Sequence, residues 1–317
     1  VLIVVNTRPS ALAVYQEIKS RNLDIPLYHL STNMCAAHRE DVLDNKIKPK
    51  LKAKEPVICV STQLIEAGVD IDFGSVIRLL SGLDSIVQSA GRCNRHGLRE
   101  DGGSVWIVNP QKENLDQLKD IESGRRHAQW ILDDFRNTSD DFDGNPLGLK
   151  AITHYYHRYY KSHEHELDYP ISKDSPIGRN DKLFNLLSMN DLSTKNYQAD
   201  HQGNPPNMLL RQSFRSANDE FRVINSPTHG VLVPYQEGKN IITKLRDAIE
   251  LEKQNKLLRQ AQRYSVNLFD HQFRKLIQSE VIREVREDAG VYYLDEKYYS
   301  EEFGWIDEPV DNSITQQ

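Results

Sequence analysis

The chain has 317 residues, enough for about two domains, and carries 38% hydrophobic and 27% charged residues with a formal net charge of −6. That mildly acidic balance excludes a protein that coats nucleic acid over its whole surface, so any such contact is confined to a local groove. Neither a membrane-length apolar run, which needs about 20 residues, nor a signal-peptide pattern is present.

Residues 1–110 alternate strand and helix patterns. The apolar stretch 1–5 is a strand. Pro9 sits in the first turn of a helix that continues over 11–19. Residues 26–30 form a second strand, and 36–47 a helix with an apolar face. Three more strands are expected at 57–60, 76–80 and 104–108. Short apolar strands separated by helices predict a parallel sheet covered by helices, with ligands at the carboxyl ends of the strands. After Pro110 the pattern changes. Residues 111–135 read as a charged helix, and 154–165 as a helix rich in His and Tyr. Residues 169–207 are rich in Pro, Asn, Ser and Asp and read as connecting chain with short helices. A small α+β domain follows, with strands at 230–235, 265–269 and 291–294 and a long charged helix over 241–262. The acidic stretch from Asp295 frays beyond Pro309. The expected division is 1–110 as an α/β lobe, 111–207 as a helical linker and 208–317 as a C-terminal accessory domain. The chain opens on Val1, inside a strand and without Met, and reads as part of a longer polypeptide.

Two segments carry chemistry. In Gln88-Ser89-Ala90-Gly91-Arg92-Cys93-Asn94-Arg95, a helix capped by Asp84 and ended by Gly97 would set Gln88, Arg92 and Arg95 on one face. Two planar, permanently charged guanidinium groups on one stripe suit phosphate oxygens. Gly91 beside them leaves room for a backbone or phosphate to approach. In Ser61-Thr62-Gln63-Leu64-Ile65-Glu66-Ala67-Gly68-Val69-Asp70, a strand ends in two hydroxyls and opens a helical turn. A hydroxyl with free backbone N–H groups binds phosphate there. Gly68 permits a tight loop, and Asp70 orders it. Other features have bland readings. The lysine run Lys46, Lys48, Lys50, Lys52 and Lys54 reads as a solvated edge, with a dedicated DNA site as the alternative. His154, His157, His163 and His165 match no single-face metal pattern, so no metal site is assigned. Tyr155, Tyr156, Tyr159 and Tyr160 read as a packed helix face, with a base-stacking platform as the alternative. Cys35, Cys59 and Cys93 form no framework, which points to a reducing, cytoplasmic setting.

Together the two segments resemble motifs V and VI of superfamily 2 helicases. Asn6-Thr7, at the end of the first strand, is then similar to motif IV, and Ser31 to the DNA-backbone element after it. The wording Ser-Thr-Gln-Leu-Ile-Glu-Ala-Gly-Val-Asp with Gly-Arg-Cys-Asn-Arg looks like the signature helicase–nuclease of type I CRISPR systems. Gln212-Ser213-Phe214-Arg215, residues 230–235 and residues 264–268 are similar to later segments of that family.

The resemblance implies a second RecA-like lobe with a C-terminal lid, the rear half of a motor. Such a motor translocates 3′ to 5′ along the single-stranded DNA displaced in an R-loop and feeds it to an HD nuclease. Its implied partners are the type I CRISPR surveillance complex, the HD domain and the first RecA-like domain. ATP and Mg²⁺ would be held mainly by that first lobe, and the nuclease metal by the HD domain. Implied catalytic residues are Arg92, Arg95 and Gln88, and Gly68, Asp70 and Gly91 would face the nucleotide. Asn6, Thr7, Ser31, Ser61 and Thr62 would hold DNA. The chain has no GxxxxGK[ST] phosphate loop, no DExH-type acid motif and no His-Asp nuclease motif, so alone it is expected to be inactive. The lid's cations would be Arg211, Arg215, Arg222, Lys244 and Arg246. Its acidic stretch, Asp295 to Asp311, would repel DNA. Two alternatives stand beside this reading: another superfamily 2 repair translocase, and a non-catalytic lobe that binds nucleic acid or a partner and regulates.

Overall fold

The computed structural model describes residues 1–97, 99–100, 102–207, 210–221, 228–247, 251–287 and 289–309. Arg222, Asp311 and residues 248–250 of the expected long helix therefore lie outside the described residues. The chain falls into two compact units, one made of residues 1–155 with 227–317 and the other of residues 156–226. The composition-based boundaries are drawn differently, because the C-terminal segment shares a unit with the first lobe.

The first unit begins with β1 (Leu2–Val4), α1 (Arg8–Ser20) and β2 (Leu27–Leu30). Thr7 caps α1 by accepting from the Ser10 N–H, and Pro9 occupies the first turn, where a missing N–H costs nothing. α2 (Ala36–Glu40) runs through a π-helical stretch, Asp41–Ile47, into α3 (Lys48–Lys52). β3 (Ile58–Ser61), β4 (Ser75–Leu79), α4 (Leu83–Ala90), β5 (Ser104–Val108) and α5 (Lys119–Asn137) complete the lobe. All five strands are parallel, in the order β2-β3-β1-β4-β5. The central ones are apolar runs buried on both faces, with Leu2, Val4, Cys59, Val60 and Val76 fully covered. The lysine run pairs locally, Lys48 with Asp44 at 2.6 Å and Lys50 with Glu55 at 3.2 Å.

α6 (Leu149–Ser162) carries the His/Tyr-rich sequence. Tyr155 is buried, while the rings of Tyr156 and Tyr160 stack 5.6 Å apart and those of Tyr159 and His163 4.5 Å apart. The second unit holds a two-stranded sheet of β6 (Pro170–Ile171) and β7 (Asp181–Lys182), with α7 (Leu183–Leu187), α8 (Asp191–Asp200) and α9 (Phe214–Glu220). Its small core joins Ile171, Leu186 and Ala217. Arg179 clamps the Asp181 carboxylate at 2.7 and 3.0 Å.

The chain returns to the first unit with β8 (Thr228–Leu232), α10 (Glu237–Asp247), α11 (Leu251–Ala261), β9 (Ser265–Phe269) and α12 (Asp270–Gln278). α10 and α11 both fall along the long helix expected over 241–262, and α10 starts four residues earlier, at Glu237. β10 (Ile282–Glu284) and β11 (Tyr292–Leu294) finish a four-stranded sheet in the order β10-β11-β8-β9. A last hairpin, β12 (Tyr299–Ser300) and β13 (Gly304–Trp305), straps this sheet to the lobe. The Trp305 N–H donates to the Asn33 carbonyl at 2.9 Å, and the Asn33 amide donates to the Trp305 carbonyl at 2.9 Å. Gly304 has φ +75°, and a Cβ there would lie 2.3 Å from the Asn33 carbonyl oxygen, so only glycine fits. Phe303 packs edge-on against Tyr15 and His29. The acidic stretch is used locally, with Glu302 paired to Lys19 and Glu296 to Lys239.

Under the strap lies His38, fully buried and stacked on Tyr235 at 4.1 Å. The Glu301 carbonyl can only accept, so Nε2 carries the proton and donates to it at 3.0 Å. Nδ1 then accepts from the Tyr299 hydroxyl at 3.0 Å. Burial holds both His38 and His29 down at about 4. Their unfolded values are ordinary, about 6.5, so the unfolded chain takes up protons first on acidification. The contribution is therefore complete above about pH 6.5 and is lost as the pH falls toward 4, at roughly 3 kcal/mol per ring. Urea midpoints followed through intrinsic tryptophan fluorescence should drop across that window. H38Q should flatten the slope, and an unchanged slope in both H38Q and H29Q would assign the acid lability elsewhere.

Candidate functional site

The carboxyl ends of β1, β3 and β4 meet at one edge of the lobe, and a buried ion pair organises them. Arg78, on β4, is wholly buried, and its Nε lies 3.0 Å from Oε1 of Glu66. The guanidinium also donates to Asn6 Oδ1 at 2.7 Å, the Leu79 carbonyl at 2.9 Å and Ser85 Oγ at 2.8 Å. The hydroxyls of Ser85 and Ser89, on α4, donate to the Glu66 carboxylate at 2.7 and 2.9 Å. Burial pushes the Glu66 carboxyl upward, opposed by Arg78 and the serine hydroxyls. Asn6 completes the net by donating to the Leu80 carbonyl at 3.0 Å and to Glu113 Oε2 at 2.8 Å. Glu113, just beyond β5, also accepts from Ser10 Oγ at 3.0 Å.

The structure places the expected arginine stripe differently. α4 ends at Ala90, seven residues before Gly97, and Gly82 rather than Asp84 precedes its first turn. Beyond Gly91 the backbone leaves the helix to bridge Phe73. The Phe73 N–H donates to the Arg92 carbonyl at 2.8 Å, and the Asn94 N–H donates to the Phe73 carbonyl at 3.0 Å. Asn94 turns the chain at φ +49°. These bonds to a neighbouring segment replace the helical ones, so Gln88, Arg92 and Arg95 do not share a helical face. Gln88 is exposed. Arg92 is buried, its Nε donating to the Ile65 carbonyl at 3.0 Å and its terminal nitrogen to the Glu66 carbonyl. Arg95 reaches outward and pairs with Asp70 at 3.1 Å, while its N–H donates to Asp72 at 2.9 Å. Gly68 takes φ +72°, which the turn before Asp70 requires. A Cβ on Gly91 would meet only carbonyls of its own helix, at 3.4 and 3.5 Å.

The expected strand-holding residues gather at the same edge in two layers. Thr7 and Thr62 line a groove of about 1640 Å³ between the strand ends and the C-terminal sheet. Thr62 opens the turn Gln63–Ile65, and its hydroxyl makes no cap bond there. Asn6 also borders the groove but spends its amide on the network. Ser31 and Ser61 are fully buried, accepting from the Asn33 N–H and donating to the Thr62 carbonyl respectively. Arg8, Arg39 and Lys112 add positive charge to the wall, against Glu113 alone. The Glu66–Arg78 pair and Glu113 were not among the sequence candidates. A lone arginine inside the apolar β4 sequence Ser-Val-Ile-Arg-Leu was the available signal, since an unpaired charge there is prohibitive. Among the described residues no helix is long and apolar enough to cross a membrane.

Removing one partner of a buried pair leaves the other uncompensated, a cost of about 3–5 kcal/mol. E66Q and R78M should each lower the free energy of urea unfolding by about that amount. The double variant should cost clearly less than the sum of the two. Additive losses would mean that the two side chains act independently.

The family model described as "CRISPR-associated nuclease/helicase Cas3, C-terminal" matches residues 1–98. The chain is 49% identical over 63 residues to the CRISPR-associated nuclease/helicase Cas3 of Haloferax volcanii, a match covering 19% of this chain and 7% of the relative. It is 33% identical over 148 residues to the Cas3 of Methanothermobacter thermautotrophicus, covering 46% of this chain and 17% of that one. The crystal structure of T. fusca Cas3 superposes with a TM-score of 0.53 over 92% of this chain and 35% of its own, at 13% identity, and a structure titled T. fusca Cas3-ATP gives 0.52 over the same shares. The chain thus spans well under half the length of the relatives it matches. Residues 1–98 thus resemble the C-terminal part of the CRISPR-associated nuclease/helicase Cas3, and the chain shares the α/β fold of the solved T. fusca Cas3.

Proposed function

We propose that this chain is the second RecA-like lobe and C-terminal lid of an ATP-driven motor that moves 3′ to 5′ along single-stranded DNA. The observation that carries the reading is the pairing of a polar, cation-lined groove with a guanidinium-bearing loop across one buried network. Thr62 faces the groove, and Glu66, a single turn further on, is the hub that holds α4 and the Arg92 loop. On this reading a phosphate backbone lies along Thr7 and Thr62, positioned by hydroxyls and cations that carry no sequence information. Ser31, Ser61 and Asn6 support that wall from beneath.

ATP would sit between this lobe and a first lobe that supplies the phosphate loop and Mg²⁺. Gln88, Gly91, Gly68, Asp70, Arg92 and Arg95 would face the nucleotide. Arg95 is the poised finger, since its partner Asp70 is exposed and a surface pair is weak. Arg92 must exchange the Ile65 and Glu66 carbonyls for phosphate oxygens, which ties its arrival to a shift of the Thr62 turn. Opening and closing of the lobes then couples hydrolysis to steps along the strand. The nucleotide in the T. fusca Cas3-ATP structure supports this assignment of ATP. The delivery of the strand to an HD nuclease, and recruitment by a type I CRISPR surveillance complex, belong to the same proposal.

Phosphate release by residues 1–317 alone should stay at background with single-stranded DNA present, and robust turnover would refute the two-lobe reading. In a protein containing both lobes, R95A should lower turnover by about 10³–10⁵, the usual worth of such a finger, with ATP still bound. A loss under tenfold would make Arg95 a loop-ordering residue. T62A should weaken single-strand affinity roughly tenfold, as expected for one hydrogen bond to a charged group. Unchanged affinity, measured by fluorescence anisotropy, would remove Thr62 from the strand path.

A further inference from the structure

The wall of the groove opposite the strand ends belongs to the C-terminal sheet, and its residue pattern is unusual for a solvent-facing surface. Along β9 the side chains alternate. Val266 and Leu268 are buried, whereas Ser265, Asn267 and Phe269 are more open, and Ser265, Val266, Asn267 and Phe269 all border the groove. Phe269 stands at the end of the strand, where its backbone pairs with Thr228 and α12 begins. The residue is 42% exposed. The ring of His271 lies 6.1 Å away and within 9° of parallel. Gly230 pairs with Asn267 in register, and no side chain rises beside it on β8. Two nearly parallel rings therefore border a groove that is also lined by Thr7, Thr62 and cationic groups.

A scattered exposed aromatic needs no explanation. Its position in one groove with hydroxyls and guanidinium groups does. An unpaired strand has one charged edge and one edge of flat π-faces, and these two walls match the two edges. A duplex would present phosphates to both walls and bases to neither. Building on the strand-holding reading above, we propose that Phe269, flanked by His271, is a stacking platform for an unpaired nucleobase of the bound strand. Stacking on a ring is tolerant of base identity. The platform would therefore grip any sequence while Thr7 and Thr62 hold the backbone, as a motor that must step along arbitrary DNA requires.

The test compares two oligonucleotides of equal length and charge, oligo(dT) and a fully abasic strand, bound to the 317-residue chain at fixed salt. The parent chain should prefer oligo(dT) by roughly tenfold, within the worth of one stacked base. F269A should bring that ratio close to unity, and F269W should restore it. A 2-aminopurine in the strand should be quenched by the parent chain and not by F269A. Equal affinity of the parent chain for both strands, or a ratio that survives F269A, would overturn the platform. Failure of the parent chain to bind either strand would instead overturn the strand-holding reading on which it rests.

Discussion

The Glu66–Arg78 ion pair sets the terms for the rest of the lobe. Two charges removed from water cost several kcal/mol each unless every donor and acceptor is met. That requirement recruits Ser85 and Ser89 from α4, Asn6 from the end of β1, and the Leu79 carbonyl. Elements that a parallel sheet would only hold at a common edge are thereby fixed in register with one another. The loop carrying Arg92 is tied to the same residue from the other side, through the Glu66 carbonyl. A displacement of the Thr62 turn cannot be confined to the groove, because Glu66 follows it in the chain and holds α4. The network is thus a mechanical linkage as well as a source of stability.

Much of this architecture was legible from residue patterns. The strands at 104–108 and 265–269 fall where their apolar and alternating patterns put them, and the strand ends did prove to gather the polar residues. The parallel sheet was readable because its central strands are covered on both faces and so run apolar without alternation. The misreadings share one cause, contacts between residues distant in sequence. Helical spacing put Arg92 and Arg95 in line with Gln88, yet the bridge to Phe73 ends the helix first. The acidic stretch from Asp295 reads in sequence only as a surface that repels DNA and frays beyond Pro309. Its carboxylates and aromatic rings instead answer Lys19, Tyr15 and His38, more than 250 positions earlier. No local pattern reports such a partner.

The buried histidines illustrate the same point. Nothing in the sequence singles out His29 and His38 as buried groups. Their burial converts them into neutral structural groups, one inside a ring cluster and the other bridging a tyrosine hydroxyl and a backbone carbonyl. Neither takes part in the proposed chemistry, although a buried imidazole with a strongly displaced pKa would often be suspected of it. Geometry decides here, since both lie beneath the strap and away from the lining of the groove.

The strap also bears on how the protein is made. Its bonds join Asn33 to Trp305 and Tyr15 to Glu302, among the widest sequence separations in the molecule. During synthesis the sheet of the lobe can pair as soon as β5 has emerged, because its strands are close in sequence. The surface around Tyr15, His29 and His38 cannot close then. It waits, apolar and uncovered, until Phe303 and Trp305 leave the ribosome about 200 residues later, ten seconds or more at roughly 5–20 residues per second. For that interval the surface under the strap stays open to solvent, and its closure requires that the chain has been translated through residue 305.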